Sequence, residues 1–409
     1  MLVRRSTRPL AVLAAVALAG ALTACSDDPP SSADADAEVT TTSAPARAEL
    51  GPDDDLYALA EPLTPGDPGD VIAVQEVTGL DVDATVLRVL YHSRSIAGED
   101  IAVSGIIAVP TSPAPEGGRA VLSWAHGTTG IADECAPSKD PAGSGIGLIA
   151  PFIERGMAFV ATDYEGLGTP GRHPYIAGES EGRGVLDIVR AAQALGDRVG
   201  ASDRVVVWGH SQGGHAALFA NQIAANYAPE LELAGTVAGA PPSQLTLIAA
   251  ALKDSPFRFY LGMVAAGWAA AYPDADPADL LTPAGLERLA LVDEACGGEL
   301  ATSWSDVPYD ALVRADPATV EPWKTLLVEN DPGFEVGESP ILVIHGEQDE
   351  QIPLVSSQML LDRMCGIGQV VERRTYPGSH SGVIGPSLPD MLAWIDGRLA
   401  DELAPTSCG

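Results

Sequence analysis

Positive charge is what this 409-residue chain has least of. Its 23 lysines and arginines stand against 56 aspartates and glutamates, a formal net charge of −33. That balance excludes nucleic acid as a partner, because phosphates would repel it. It also gives no electrostatic attraction to an anionic membrane. Long apolar runs are missing save one, at residues 10–22, which falls short of the roughly 20 residues a spanning helix needs. Cysteines are few, five in all. They are not spaced as a zinc site and none sits beside a suitable catalytic histidine, which leaves them a structural role.

What is present begins with an export signal. Arg4, Arg5 and Arg8 precede the apolar run, and Leu22-Thr23-Ala24-Cys25 matches a bacterial lipobox. Residues 1–24 are therefore expected to be a lipoprotein signal peptide, with Cys25 lipidated and the chain anchored in the bacterial cell envelope. Residues 25–54 are mostly Ser, Thr, Ala, Pro and acids. Such a stretch cannot bury enough surface to fold and is expected to be a disordered acidic tether. Without Cys25, the set Cys135, Cys296, Cys365 and Cys408 is even, and in an exported chain favours two disulfides with three pairings open.

The folded part alternates short β-branched runs with helical patterns. Strands are expected at 71–74, 85–90, 101–109, 120–125, 157–162, 204–208, 233–238, 341–344 and 370–376. Helices are expected at 184–196, from 214 onward and at 388–403. This pattern implies an α/β fold, a mostly parallel sheet with helices on both faces. About a hundred residues separate the strands at 233–238 and 341–344, far more than a crossover needs. Helical patterns at 244–272, 277–295 and 319–329 fill that stretch, which reads as an inserted cap. Phe259, Tyr260, Leu261, Met263, Val264 and Trp268 within it could wall an apolar acyl chain or simply pack the cap.

Gly209-His210-Ser211-Gln212-Gly213 carries the chemistry. It lies between a buried strand and a helix, and Gly-x-Ser-x-Gly in that setting is a nucleophile elbow. A serine hydroxyl needs a histidine to take its proton and a carboxylate to fix that histidine. In this fold those follow in the order Ser, acid, His. Asp349 follows directly on the strand 341–344 and is the expected acid, with Glu347 and Glu350 as competitors. His380 is the only histidine after it. The oxyanion donors are expected to be the backbone N–H of Gln212 and that of Thr128, with Thr129 as the alternative. Asp163 and Tyr164 lie on the same rim, either shaping the pocket or capping the strand end. The expected chemistry is acyl-ester hydrolysis through an acyl-enzyme, with no metal and no cofactor.

These residues resemble the secretory lipase family, the α/β-hydrolases that include the fungal lipase A type. The elbow Gly209-His210-Ser211-Gln212-Gly213-Gly214 is close to that family's, and Cys135-Ala136-Pro137-Ser138 resembles an element after its oxyanion loop. Asp55-Leu56-Tyr57, Pro62-Leu63 and Pro68-Gly69-Asp70-Val71-Ile72 resemble its opening. The loop His126-Gly127-Thr128-Thr129-Gly130 is more like that of general esterases. The resemblance implies an α/β-hydrolase core at 55–242 and 336–409, a helical cap at 243–335, and hydrolysis of acyl esters including lipids. It also implies that Cys135 pairs with Cys296 and Cys365 with Cys408. Exported peptidases of similar build are the alternative. They would need a carboxylate cluster for a free amine, which Asp274, Asp276 and Asp279, or Asp293 and Glu294, could supply.

Overall fold

A strand apolar on both faces must be covered on both. In β7 (Ala201–His210), Val205 and Val207 enter one core while Val206 and Trp208 enter another. The computed structural model describes residues 47–143 and 148–409, so the expected signal peptide, Cys25 and most of the tether lie outside the described residues.

The other strands are β1 (Ala48–Leu50), β2 (Val71–Val77), β3 (Ala84–Arg94), β4 (Asp100–Pro110), β5 (Arg119–Ala125), β6 (Ala158–Thr162), β8 (Glu232–Gly239), β9 (Ile341–Gly346) and β10 (Val371–Tyr376). They form one ten-stranded sheet in the order β1-β2-β3-β4-β6-β5-β7-β8-β9-β10. From β6 to β10 every pairing is parallel, whereas β2, β3, β4 and β6 pair antiparallel. Helices α2 (Gly178–Ala194), α3 (Gln212–Tyr227) and α10 (Leu354–Ile367) cover one face, and α1 (Ala150–Ile153) and α11 (Ile384–Leu399) the other.

Between β8 and β9 the described chain forms no strand of the sheet. It holds α4 (Leu245–Ala251), α5 (Phe259–Ala271), α6 (Pro283–Leu289), α7 (Gly297–Ser305), α8 (Tyr309–Leu312) and α9 (Trp323–Glu329), packed around Met263, Trp268, Trp304 and Trp323. The run 244–272 is two helices rather than one, since Ser255-Pro256 interrupts it and a proline has no N–H to continue the ladder. The run 277–295 is likewise broken. Thr282 caps α6 by accepting the Gly285 N–H, and Pro283 takes the first helical position. Helices α7 and α10 go beyond the sequence expectation, and α2 begins at Gly178 rather than 184.

One strand corrects the tether. Ala48–Leu50 lies inside the range 25–54 yet pairs in parallel with β2, Ala48 opposite Ala73. Its Glu49 also meets Arg198. The hydrogen bonds come from a strand edge far along the chain, which local composition cannot reveal. Both disulfides implied by the resemblance are formed. Cys135–Cys296 joins the loop after β5 to the start of α7, and Cys365–Cys408 joins α10 to the C-terminus.

Candidate active site

β7 ends at His210 and α3 starts at Gln212, so Ser211 alone makes the turn. It does so at φ 59° and ψ −125°, a conformation that stores of order 1–3 kcal/mol for a non-glycine residue. The flanking glycines make it possible. A Cβ on Gly209 would stand 1.9 Å from the Gly213 carbonyl oxygen, and one on Gly213 would stand 1.8 Å from that of Ala125. Strand register brings the remaining loops to the same edge. Ala125 pairs with Gly209, His210 with Gly239, and Gly346 with Tyr376.

At the ends of β9 and β10, the His380 Nδ1 lies 2.8 Å from Asp349 Oδ2, and both side chains are buried. The other carboxylate oxygen accepts the N–H groups of Gln351 and Ile352 at 2.9 and 2.8 Å. Burial alone would raise the Asp349 carboxyl. The contacts from His345 and His380 and the backbone donors overcome it and hold the group well below the usual carboxylate range. Glu350 instead accepts the His380 backbone N–H at 3.0 Å, and Glu347 reaches only Thr375. The His380 ring stands 4.9 Å from that of His210, the residue before Ser211. Its Nε2 is buried and without a hydrogen-bond partner among the described residues.

Gln212 opens α3, where no residue four positions back within the helix supplies a carbonyl for its N–H. The loop after β5 lies against this turn: a Cβ on Gly127 would sit 3.6 Å from the Ser211 Cβ. Thr128 is held by its hydroxyl, 2.7 Å from the Tyr175 hydroxyl. Thr129 is held by its carbonyl, which accepts the Gly297 N–H at 2.8 Å. Asp163 turns into the core to bind Ser104 and Ser138, while the Tyr164 hydroxyl donates to the His126 carbonyl at 2.9 Å. Neither lines the cavity that holds Ser211.

That cavity spans about 680 Å3 free of protein atoms, part of it open to solvent. Ser211 is in its wall, and the rest is apolar or aromatic: α5 contributes Tyr260, Leu261, Val264 and Trp268, α4 contributes Leu245 and Ile248. Among the described residues no carboxylate lines it. Asp276 instead caps a turn at Ala278, and Asp293 forms a two-pronged pair with Arg172 at 2.8 and 2.5 Å.

A model of the secretory lipase family matches residues 143–406, which include Ser211, Asp349 and His380. The chain belongs to the secretory lipase family. The members of that family are carboxylic ester hydrolases. A secreted triacylglycerol lipase of Malassezia globosa is 28% identical over 302 residues, covering 68% of this chain and 65% of that protein. Lipase 10 of Candida albicans is 24% identical over 392 residues, covering 87% and 82%. Among solved structures, Candida antarctica lipase A superposes with a TM-score of 0.73 at 21% identity, covering 84% of each chain. The fold is the α/β-hydrolase fold.

Two features of this family member escaped the sequence reading. His345, fully buried, stands 3.2 Å from Asp349 Oδ2 through its Nε2, so the acid faces two histidines. Its place four residues before the acid was the available signal. Glu181 sits beneath the elbow, where it accepts a hydrogen bond from the Gln212 side chain. No spacing rule points to it.

Proposed function

We propose that this secretory lipase hydrolyses carboxylic esters with an apolar acyl chain, lipid esters among them, using Ser211, His380 and Asp349. The observation that carries the reading is Ser211 in the wall of a cavity otherwise apolar and aromatic. Asp349 accepts a hydrogen bond from the Nδ1–H of His380, which leaves Nε2 as the basic nitrogen. As the Ser211 oxygen attacks the ester carbonyl, His380 takes its proton. The N–H groups of Gln212 and Thr128 donate to the oxyanion. Collapse expels the alcohol, which leaves with the proton from His380. Water then attacks the acyl-enzyme with His380 again as base, releasing the acid and restoring Ser211. Because Asp349 stays ionised, it stabilises the imidazolium formed in each step.

A peptidase of this build would need a carboxylate to hold a free amine, and the cavity lining has none. We further propose residues 243–335 as the cap on a core of 55–242 and 336–409. Export follows the same reading: residues 1–24 as signal peptide, Cys25 lipidated, and the chain anchored in the cell envelope. The lipobox supports the anchor, and the Malassezia relative is named as secreted. The test is turnover of p-nitrophenyl esters from acetate to palmitate beside amino-acid p-nitroanilides. Ester turnover without anilide turnover is expected, and the reverse would overturn the reading.

A further inference from the structure

We propose that Glu181 is a positioning residue for this hydrolysis, holding in place both the oxyanion donor Gln212 and the cavity wall at Ile176. The inference rests on the reading of Ser211 and Gln212 above. Glu181 is in the first turn of α2 and fully buried. An isolated carboxylate there would be strongly disfavoured, so its partners define its role. One oxygen accepts the Gln212 Nε2 at 2.8 Å and the Ile176 N–H at 3.0 Å. The other meets the His215 Nδ1 at 2.9 Å. These partners come from α3 and from the loop before α2, which the carboxylate ties together.

The Gln212 side chain is not part of the cavity lining, and its tether anchors the residue whose backbone N–H would meet the oxyanion. His173 completes it. Burial pushes that histidine down to about 4, so its Nε2 accepts from Gln212 at 2.8 Å while its Nδ1 donates to the Glu165 carbonyl. Ile176 is the second load. It lines the cavity at φ 59°, where a β-branched residue is a genuine outlier and needs its neighbours to hold it. Glu181 grips its N–H, and the Trp268 indole donates to its carbonyl at 3.3 Å.

The charge is also arranged. His215 Nε2 faces the Asn330 carbonyl at 2.8 Å and must donate there. The contact between Nδ1 and Glu181 then requires one further proton shared between them, so the pair is net neutral. A bare carboxylate one side chain from a growing oxyanion would oppose it; this pair anchors without doing so. The close approach of α2 to α3 that builds the network depends on glycine. A Cβ on Gly178 would stand 2.3 Å from the Phe219 ring, and one on Gly182 2.9 Å from the Ala220 nitrogen.

The test is Glu181→Leu, which keeps much of the volume but removes both acceptor oxygens. The full-length protein is first labelled with a fluorophosphonate. Absence of a Ser211 adduct in the wild type would sink the nucleophile itself, separately from any role of Glu181. With labelling in hand, Glu181→Leu is expected to lower kcat/KM for p-nitrophenyl butyrate about 10- to 100-fold, less than the loss of a whole oxyanion donor. Affinity for an alkyl trifluoromethyl ketone, which forms an oxyanion on Ser211, should fall by the same factor. Gln212→Leu keeps the backbone N–H but cuts the tether, and should weaken the ketone similarly even if Glu181→Leu does not fold. A lowered Tm with unchanged ketone affinity would make Glu181 a fold-stabilising residue only and overturn the proposal.

Discussion

Filling the cavity beside Ser211 should abolish any preference for longer acyl chains. Val264 lines it from α5, on the same stripe as Leu261 and Trp268, and is only partly buried, so a larger side chain can enter the empty space without displacing the helix core. Each methylene moved from water into an apolar lining is worth about 0.8 kcal/mol. The four methylenes separating butyrate from octanoate give about 3 kcal/mol, or about 200-fold in kcat/KM if all four are buried. Val264→Trp should keep acetate turnover within a few-fold while flattening that gradient to less than about tenfold. The assay is nitrophenolate release across the ester series, with Tm recorded for both proteins. A Val264→Trp profile parallel to wild type would refute the reasoning, because the acyl chain would then lie elsewhere.

Other outcomes follow from the same geometry. Asp349→Asn should lower kcat by about 10^3- to 10^4-fold through loss of the correct His380 tautomer, whereas Glu350→Gln, which meets the backbone N–H of His380 rather than its ring, should lose less than about tenfold; equal losses would reassign the acid. Burial holds His210 down to about 3, with His380 adding to it, and His173 down to about 4. Both fold as neutral rings, so their stabilisation is complete above the unfolded value near 6.5 and is lost as pH falls towards the folded values. Urea unfolding should therefore show about 4 kcal/mol less stability at pH 5 than at pH 7, about 2 per histidine, and a flat profile would contradict it. Removing Cys135–Cys296, which spans 161 residues, as the Cys135→Ser, Cys296→Ser double variant should cost up to about 5 kcal/mol in the chain-entropy account. It should also slow ester turnover, since the loop bearing Thr128 and Thr129 is pinned to α7 by this bond and by the Thr129 carbonyl; unaltered stability would refute it.

The elbow was readable in the sequence because its constraint is local. Gly209 and Gly213 are required by contacts within a few residues and one neighbouring strand, so a short motif between strand and helix reports them. Asp349 and His380 were readable by order, since both sit on loops at the ends of adjacent parallel strands. What stayed hidden depends on distant partners. β1 exists only because β2 offers an edge. Helix α10 buries Leu360, Leu361 and Met364 but leaves Val355, Met359 and Ile367 exposed, so its two faces barely differ in polarity. Glu181 lies in the first turn with Gly178, and Gly182 and Gly184 follow in the next, residues with poor helix propensity that delayed the expected start of α2. Of these, Gly178 and Gly182 are what allow α2 to approach α3 and bury the carboxylate.

The most direct test of the account is the residue that carries the acyl group. The protein would be mixed with p-nitrophenyl octanoate, quenched in acid within one turnover, and digested for mass spectrometry, with Ser211→Ala in parallel. The account predicts an octanoyl group on Ser211, a burst of nitrophenolate equal to the enzyme concentration or less, and neither in the alanine variant. Ester turnover that persists undiminished in Ser211→Ala, or an octanoyl group on another residue, would contradict it.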